Sequence, residues 1–188
     1  MKNKSFIVLS SPSGGGKTTV AKHLMAKYPQ ISFSISATTR NMRPGETNGK
    51  DYYFLTKEDF KAKIANNELV EYEEIFGNYY GTLISELQRA KDENKILLFD
   101  VDVKGALSIK KFYPEESILI FLAPPSIEIL EQRLRNRNTE SEEQLSKRLA
   151  RAKSEIDQAD KFDYLIINNI LDETLQNAVN IVKNQIFD

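Results

Sequence analysis

At 188 residues, with 40% hydrophobic and 28% charged side chains, the chain can bury one substantial core and reads as a single soluble domain with an inserted lobe. The 26 basic and 27 acidic residues leave a formal net charge of −1, so no general basic field argues for nucleic acid, and any anion site must arise from local placement. There is no cysteine, which excludes disulfides, thiolate metal sites and cysteine nucleophiles together, and the one histidine, His23, reads as a solvated side chain of the first helix and not as a catalytic base.

The opening residues Met1-Lys2-Asn3-Lys4-Ser5 lead into a short apolar run that is neither a signal peptide nor a membrane span, so a cytoplasmic protein without a membrane partner is expected. That run, Phe6-Ile7-Val8-Leu9, predicts a buried strand. It is followed by Ser11-Pro12-Ser13-Gly14-Gly15-Gly16-Lys17-Thr18 and by a helix-forming segment from Thr18 to Tyr28. Strand, glycine-rich loop and helix in this order predict a phosphate-binding loop. The glycines let backbone N–H groups approach an anion, and the helix aims its positive end at the same point. Lys17 supplies a mobile charge for the outer phosphates, and Thr18 a hydroxyl for a magnesium ion. Ser11 stands where the pattern normally has glycine.

Ile31 to Ser36 alternates apolar and polar residues, the period of a half-buried strand. A polar stretch from Thr38 to Asp51 leads into Tyr52-Tyr53-Phe54-Leu55, a further strand, and Thr56 with Asp59 forms a helix-capping box before Phe60 and Ile64. Leu69 to Glu73 reads as extended, and Gly77-Asn78-Tyr79-Tyr80-Gly81-Thr82 as a tight turn, so residues 35–82 form a small β-rich insert. A helix over Ser85 to Asn94 precedes Ile96-Leu97-Leu98-Phe99, an uninterrupted apolar run suited to a central parallel strand. Its terminal carboxylates, Asp100 and Asp102, would emerge on the ligand edge of the sheet. Ile118 to Leu122 and Tyr164 to Ile167 repeat that pattern. Between them lie a helix from Ser126 to Arg137 and a second, opened by a capping box at Ser141 to Gln144, making a helical hairpin. A last amphipathic helix carries Leu175, Ala178, Val179, Val182 and Ile186.

Two groups of side chains could serve phosphoryl transfer, which needs two substrates in line and positive charge where negative charge accumulates. Arg133 and Arg137 share a helix face, as do Arg148 and Arg151 on the next helix. Their spacing fits a mobile arginine lid, and equally fits solvated pairs with Glu140, Glu142, Glu143 and Glu155. In the insert, Arg40, Arg43, Tyr52 and Tyr80 stand beside turn residues; guanidinium forks bind phosphate bidentately, and tyrosine hydroxyls complete its hydrogen bonding. A phosphate acceptor would also explain the lack of a general base.

Taken in order, SPSGGGKT, SATTRNMRPGETNGKDYYF, ELVEYEEIFGNYYGT, LLFDVDVKG and EQRLRNRNTESEEQLSKRL resemble guanylate kinase over essentially the whole chain. The resemblance implies an α/β fold: a P-loop three-layer core with a parallel sheet (1–34, 83–125 and 159–188), a GMP-binding insert (35–82) and a helical lid (126–158). It implies transfer of the ATP γ-phosphoryl group to GMP or dGMP, with Mg2+ accompanying ATP. ATP would lie on Ser11, Pro12, Ser13, Gly14, Gly15, Gly16, Lys17, Thr18 and Thr19, reached by Arg133 and Arg137 from the lid, with an adenine contact near Asn168. Arg40, Arg43, Tyr52 and Tyr80 would hold the GMP phosphate with Glu46 in the same site, while Ser36, Glu71, Thr82 and Asp102 would read guanine. Lys17, Arg40, Arg137 and Arg148 would carry the transfer, and Thr18 with Asp100 would hold the metal directly or through water. Guanine presents two adjacent donors, N1–H and the 2-amino group, that one carboxylate such as Glu71 can accept; adenine has an acceptor at N1.

Other readings remain at this stage. Asp102-Val103-Lys104-Gly105 fits the D-x-x-G of a GTPase, but Asn94-Lys95-Ile96-Leu97 ends without the aspartate of the partner N-K-x-D motif. A non-catalytic guanylate-kinase-like binding domain, or a kinase for another nucleoside monophosphate, shares much of the pattern. Monomer and homodimer are both open.

Overall fold

The computed structural model describes residues 4–136 and 142–188. Five parallel strands form the main sheet in the order β2-β7-β1-β8-β9: β1 (Phe6–Ser10), β2 (Ile31–Phe33), β7 (Ile96–Asp100), β8 (Ser117–Ala123) and β9 (Tyr164–Ile167). β1 is central, with Ile7 opposite both Leu98 and Ile118. Successive side chains of a strand point to opposite faces, so a sheet covered on both sides needs apolar residues at every position. Ile7, Leu9, Leu98, Ile120 and Leu122 accordingly pack on one face against α1 (Lys17–Lys27) and α7 (Leu171–Val182). Val8, Leu97, Phe99 and Leu119 fill the other face beneath α3 (Ile84–Asp92) and α4 (Val103–Phe112).

A second sheet, in the order β4-β3-β6-β5, is built from β3 (Ser36–Thr38), β4 (Tyr53–Phe54), β5 (Leu69–Ile75) and β6 (Asn78–Leu83). Its core is Ala37, Phe60 of α2 (Lys57–Ala65) and Leu83, with Tyr79 stacked on Phe60 at 5.4 Å. The expected capping box at the start of α2 is present: Asp59 N–H donates to Thr56 Oγ1 at 3.0 Å, and Thr56 Oγ1 donates to the Asp59 carboxylate at 2.7 Å.

In three places the structure departs from the sequence expectation. The alternating stretch from Ile31 to Ser36 is divided between the two sheets, because Ile35 N–H leaves the main ladder to donate to the Glu86 carboxylate at 2.8 Å. The segment read as a turn over 77–82 is mostly strand β6; the reversal itself is Phe76-Gly77, whose φ values of 50° and 79° are those of a tight hairpin turn. Gly81 lies within β6, where an added Cβ would stand 2.7 Å from the Glu71 carbonyl oxygen, so it marks a close strand approach. The third departure is β9, an edge strand whose Leu165 and Ile167 are about half exposed.

The helical hairpin consists of α5 (Ile127–Arg135), capped by Ser126, and α6 (Glu142–Ile156). Leu130 and Leu134 pack against Leu145 and Ala152. An added Cβ on Gly14 would lie 3.4 Å from both Leu130 and Leu134, so α5 covers the glycine-rich loop closely. The capping residue expected at Ser141 lies outside the described residues.

Candidate active site

The loop between β1 and α1 is held by its own backbone and by a distant side chain. Gly15 N–H donates to the Pro12 carbonyl at 2.9 Å, and Gly16, at φ 96°, is the left-handed residue from which α1 starts. Asn168 Nδ2 donates to the Gly15 carbonyl at 2.8 Å while Thr174 Oγ1 donates to Asn168 Oδ1 at 3.1 Å. A Cβ on Gly16 would meet Asn168 Nδ2 at 2.3 Å, which together with its φ explains glycine there. Asn168, expected from the resemblance beside adenine, thus has both ends of its side chain engaged in bracing the loop. Lys17 Nζ donates to the Ser11 carbonyl at 2.9 Å and to Ser11 Oγ at 3.2 Å, and lies 3.8 Å from Asp100 Oδ1. Burial raises the Asp100 pKa above the ordinary carboxylate value, an effect the Lys17 charge opposes. Thr18 and Thr19 open α1 and are exposed.

Across a cleft of about 280 Å³ stand the second sheet and the hairpin. Its lining joins Ser11, Ser13 and Lys17 of the loop, Ser36, Tyr52, Glu71 and Tyr80 of the second sheet region, Asp100 and Asp102 after β7, and Arg148 and Arg151 of α6. The Glu71 carboxylate is buried and accepts a hydrogen bond from Thr82 Oγ1 at 2.7 Å. Burial pushes its pKa up to about 7, with the Glu73 charge adding to the rise. Thr82 itself is fully buried behind Glu71.

Arg40 is held rigidly. Glu46 accepts from its two terminal nitrogens at 3.0 and 2.7 Å, and the guanidinium lies 5.2 Å from the Tyr52 ring centre and 5.6 Å from that of Phe54. The hydrogen bonds from Arg40 hold the Glu46 carboxyl well below the usual carboxylate range, and the same pairing raises the Arg40 pKa. Tyr52 and Tyr80 meet edge to face with centres 6.4 Å apart. Burial raises the Tyr52 pKa, so its hydroxyl remains a donor at neutral pH. Arg43 is exposed; its backbone N–H donates to Glu46 at 2.7 Å, and its side chain does not line the cleft.

From the hairpin, Arg148 Nη1 donates to Ser13 Oγ at 3.1 Å, and Arg133 Nη2 donates to the Asn168 carbonyl at 2.9 Å. Arg137 lies outside the described residues. Asp102 caps α4 through Gly105 N–H at 2.8 Å and receives Arg151 Nη2 at 2.6 Å. Arg151, Glu73 and Glu155 were absent from the expected site. The signals available for them were the shared face of Arg148 and Arg151 and the strand period that puts Glu73 on the same side of β5 as Glu71. Neither distinguishes a cleft-facing charge from a solvated one.

The arrangement brings an anion-binding loop, two tyrosines, a buried carboxylate and two hairpin arginines around one space, with the fixed Arg40 against the Tyr52 ring. Such a site can bind a polyphosphate on one side and a phosphorylated base with paired donors on the other. The guanylate kinase family model matches residues 3–185. A guanylate kinase of Chlorobium luteolum is 46% identical over 178 residues, covering 95% of this chain and 90% of its own. One from Sus scrofa is 47% identical over 171 residues, with 89% and 86% covered. The crystal structure of guanylate kinase from Anaplasma phagocytophilum superposes with a TM-score of 0.78 at 34% identity, covering 100% of this chain and 89% of that one.

Proposed function

The chain belongs to the guanylate kinase family, and on that premise we propose that it transfers the γ-phosphoryl group of ATP to GMP, and to dGMP, giving ADP and GDP. The observation that carries this reading is the single cleft faced by both Lys17 and Glu71. The lysine sits on the phosphate loop, and the carboxylate is buried with acceptor capacity beyond its contact with Thr82.

In this reading the backbone N–H groups of Ser13 to Thr18, with the start of α1, receive the β- and γ-phosphates of ATP, and Lys17 neutralises charge that moves toward the leaving oxygen. Arg40, with Tyr52 and Tyr80 beside it, fixes the phosphate of GMP. The bidentate pair of bonds that Arg40 donates to Glu46 presets its guanidinium, so little side-chain freedom is lost when phosphate binds. Glu71 accepts N1–H and the 2-amino group, with Ser36, Thr82 and Asp102 completing the base site. Arg148 and Arg133 approach the transferring group from the hairpin, and Arg137, expected to act with them, lies outside the described residues. Residues 35–82 then act as the acceptor insert and 126–158 as a lid on the remaining core. The separate sheet and separate hairpin core support that division.

The donors present fit magnesium. Thr18 offers a hydroxyl oxygen at the start of α1, and Asp100 a carboxylate beside Lys17. Hard oxygen donors in small number suit an ion that keeps several waters and takes other ligands from the substrate. Thr18 and Asp100 would hold the ion, and it would supply positive charge that offsets the charge of the transferring phosphate.

A coupled assay with ATP and a panel of GMP, dGMP, AMP, UMP and dTMP tests the reading. GMP and dGMP should turn over with kcat/KM far above the others; faster turnover of AMP or a pyrimidine nucleotide would overturn it.

A further inference from the structure

α6 touches both halves of the cleft through two arginines one turn apart. Arg148 reaches Ser13 in the phosphate loop at 3.1 Å. Arg151, three residues on and so on the same helix face, reaches the opposite wall. Its Nη2 donates to Asp102 Oδ2 at 2.6 Å and to Glu73 Oε2 at 3.2 Å. Its Nε donates to Glu155 Oε1 at 2.7 Å, which fixes the plane of the fork from within α6 itself. The carboxylates are nearly enclosed, at 14%, 13% and 11% side-chain exposure for Asp102, Glu73 and Glu155. Lys104, 2.8 Å from Glu73 Oε1, shares part of their charge.

This is more than a surface ion pair. The three carboxylates belong to different elements: β5, the start of α4, and α6. Without the guanidinium they would repel one another across the cleft, and α6 would lose its attachment to the wall formed by Glu71 and Asp102. The fork geometry also matters, since one guanidinium serves all three groups through two of its nitrogens.

We propose that Arg151 is a positioning residue that couples occupation of the acceptor-base wall to the placement of Arg148 over the phosphate loop. A ligand that orders Asp102 and β5 thereby holds Arg151, and Arg151 holds α6 with Arg148 against Ser13. The inference rests on the reading that the Glu71 and Asp102 wall receives GMP. Arg151 itself need touch neither substrate.

The test is the affinity for a non-hydrolysable β,γ-imido analogue of ATP, measured by calorimetry with and without saturating GMP, in the parent protein, Arg151→Met and Arg151→Lys. In the parent, GMP should tighten analogue binding at least about fivefold, the lower end of ordinary coupling between sites. In Arg151→Met that ratio should fall to near one while analogue affinity in the absence of GMP changes less than about twofold. Arg151→Lys should recover part of the ratio, because charge returns without the fork. An undiminished ratio in Arg151→Met overturns the proposal, as does a parent that binds both nucleotides independently. Should Arg151→Met not fold, Glu73→Gln is scored by the same ratio, and an undiminished value overturns the proposal. A parent that binds no GMP at all instead refutes the underlying reading of the acceptor site.

Discussion

Glu71 illustrates how a functional side chain can be held at the expense of stability. Its folded pKa of about 7 lies above the ordinary carboxylate value of 4.5 because burial disfavours its charge. The folded state therefore holds a proton that the unfolded chain has released between those values. The associated stability is fully present below pH 4.5 and is lost as pH rises through 7, a change on the order of 3 kcal/mol. Glu71→Gln keeps an acceptor for Thr82 without the charge, so its stability relative to the parent should rise from pH 5 to pH 8 in urea titrations. The same substitution should weaken GMP binding by roughly 1.5–3 kcal/mol, the usual scale of a charged hydrogen bond. Calorimetry should also show GMP affinity of the parent rising between pH 6 and 8, as donors from the base favour the ionised carboxylate, and a flat profile in the variant. For Lys17, substitution by alanine should remove nearly all turnover while the far-ultraviolet circular dichroism stays that of the parent; retained activity would exclude its role in transfer.

At the scale of elements, the junction between the two sheets depends on one buried carboxylate. Glu86 of α3 is 1% exposed and accepts from Ile35 N–H at 2.8 Å, Tyr53 hydroxyl at 3.0 Å and Arg89 Nη2 at 2.8 Å. Glu86→Ala would leave all three donors without this partner and should cost about 3 kcal/mol, at the low end for a broken buried pair because Arg89 is partly solvated. Urea midpoints of Glu86→Ala and Glu86→Gln should differ, the glutamine retaining part of the network. This junction also explains what could and could not be read beforehand. The runs forming β1, β7 and β8 were legible because a strand covered on both faces must be apolar throughout. The division at Ser34 was not, because an alternating stretch looks the same whether it stays in one sheet or crosses to another. β9 resembled the interior strands in sequence, yet Leu165 and Ile167 are half exposed because it lies at the edge. The phosphate loop was legible from local order alone. Glu71 was set apart from Glu73 by the family resemblance, with which the chemistry of the base agrees, and Arg151 needed the third dimension.

For the whole molecule, the cleft draws its walls from the main sheet, the second sheet and the hairpin, so relative movement of these parts would enclose substrates bound between them. Transfer of a γ-phosphoryl group requires exclusion of water. Small-angle scattering should therefore show a smaller radius of gyration with a bisubstrate analogue that joins adenosine and guanosine through phosphates; superimposable profiles would count against closure. The brace between Asn168 and Gly15 adds a constraint of another kind, since it joins groups 153 positions apart in the chain. During synthesis the glycine-rich loop emerges long before the residue that fixes its carbonyl. The loop can therefore reach its final shape only after β9 has docked against β8, one of the longest-range closures in the chain and an entropically demanding one. Nucleotide binding consequently waits on β9, and a chain interrupted before β9 would carry the whole phosphate-loop motif without a competent phosphate site.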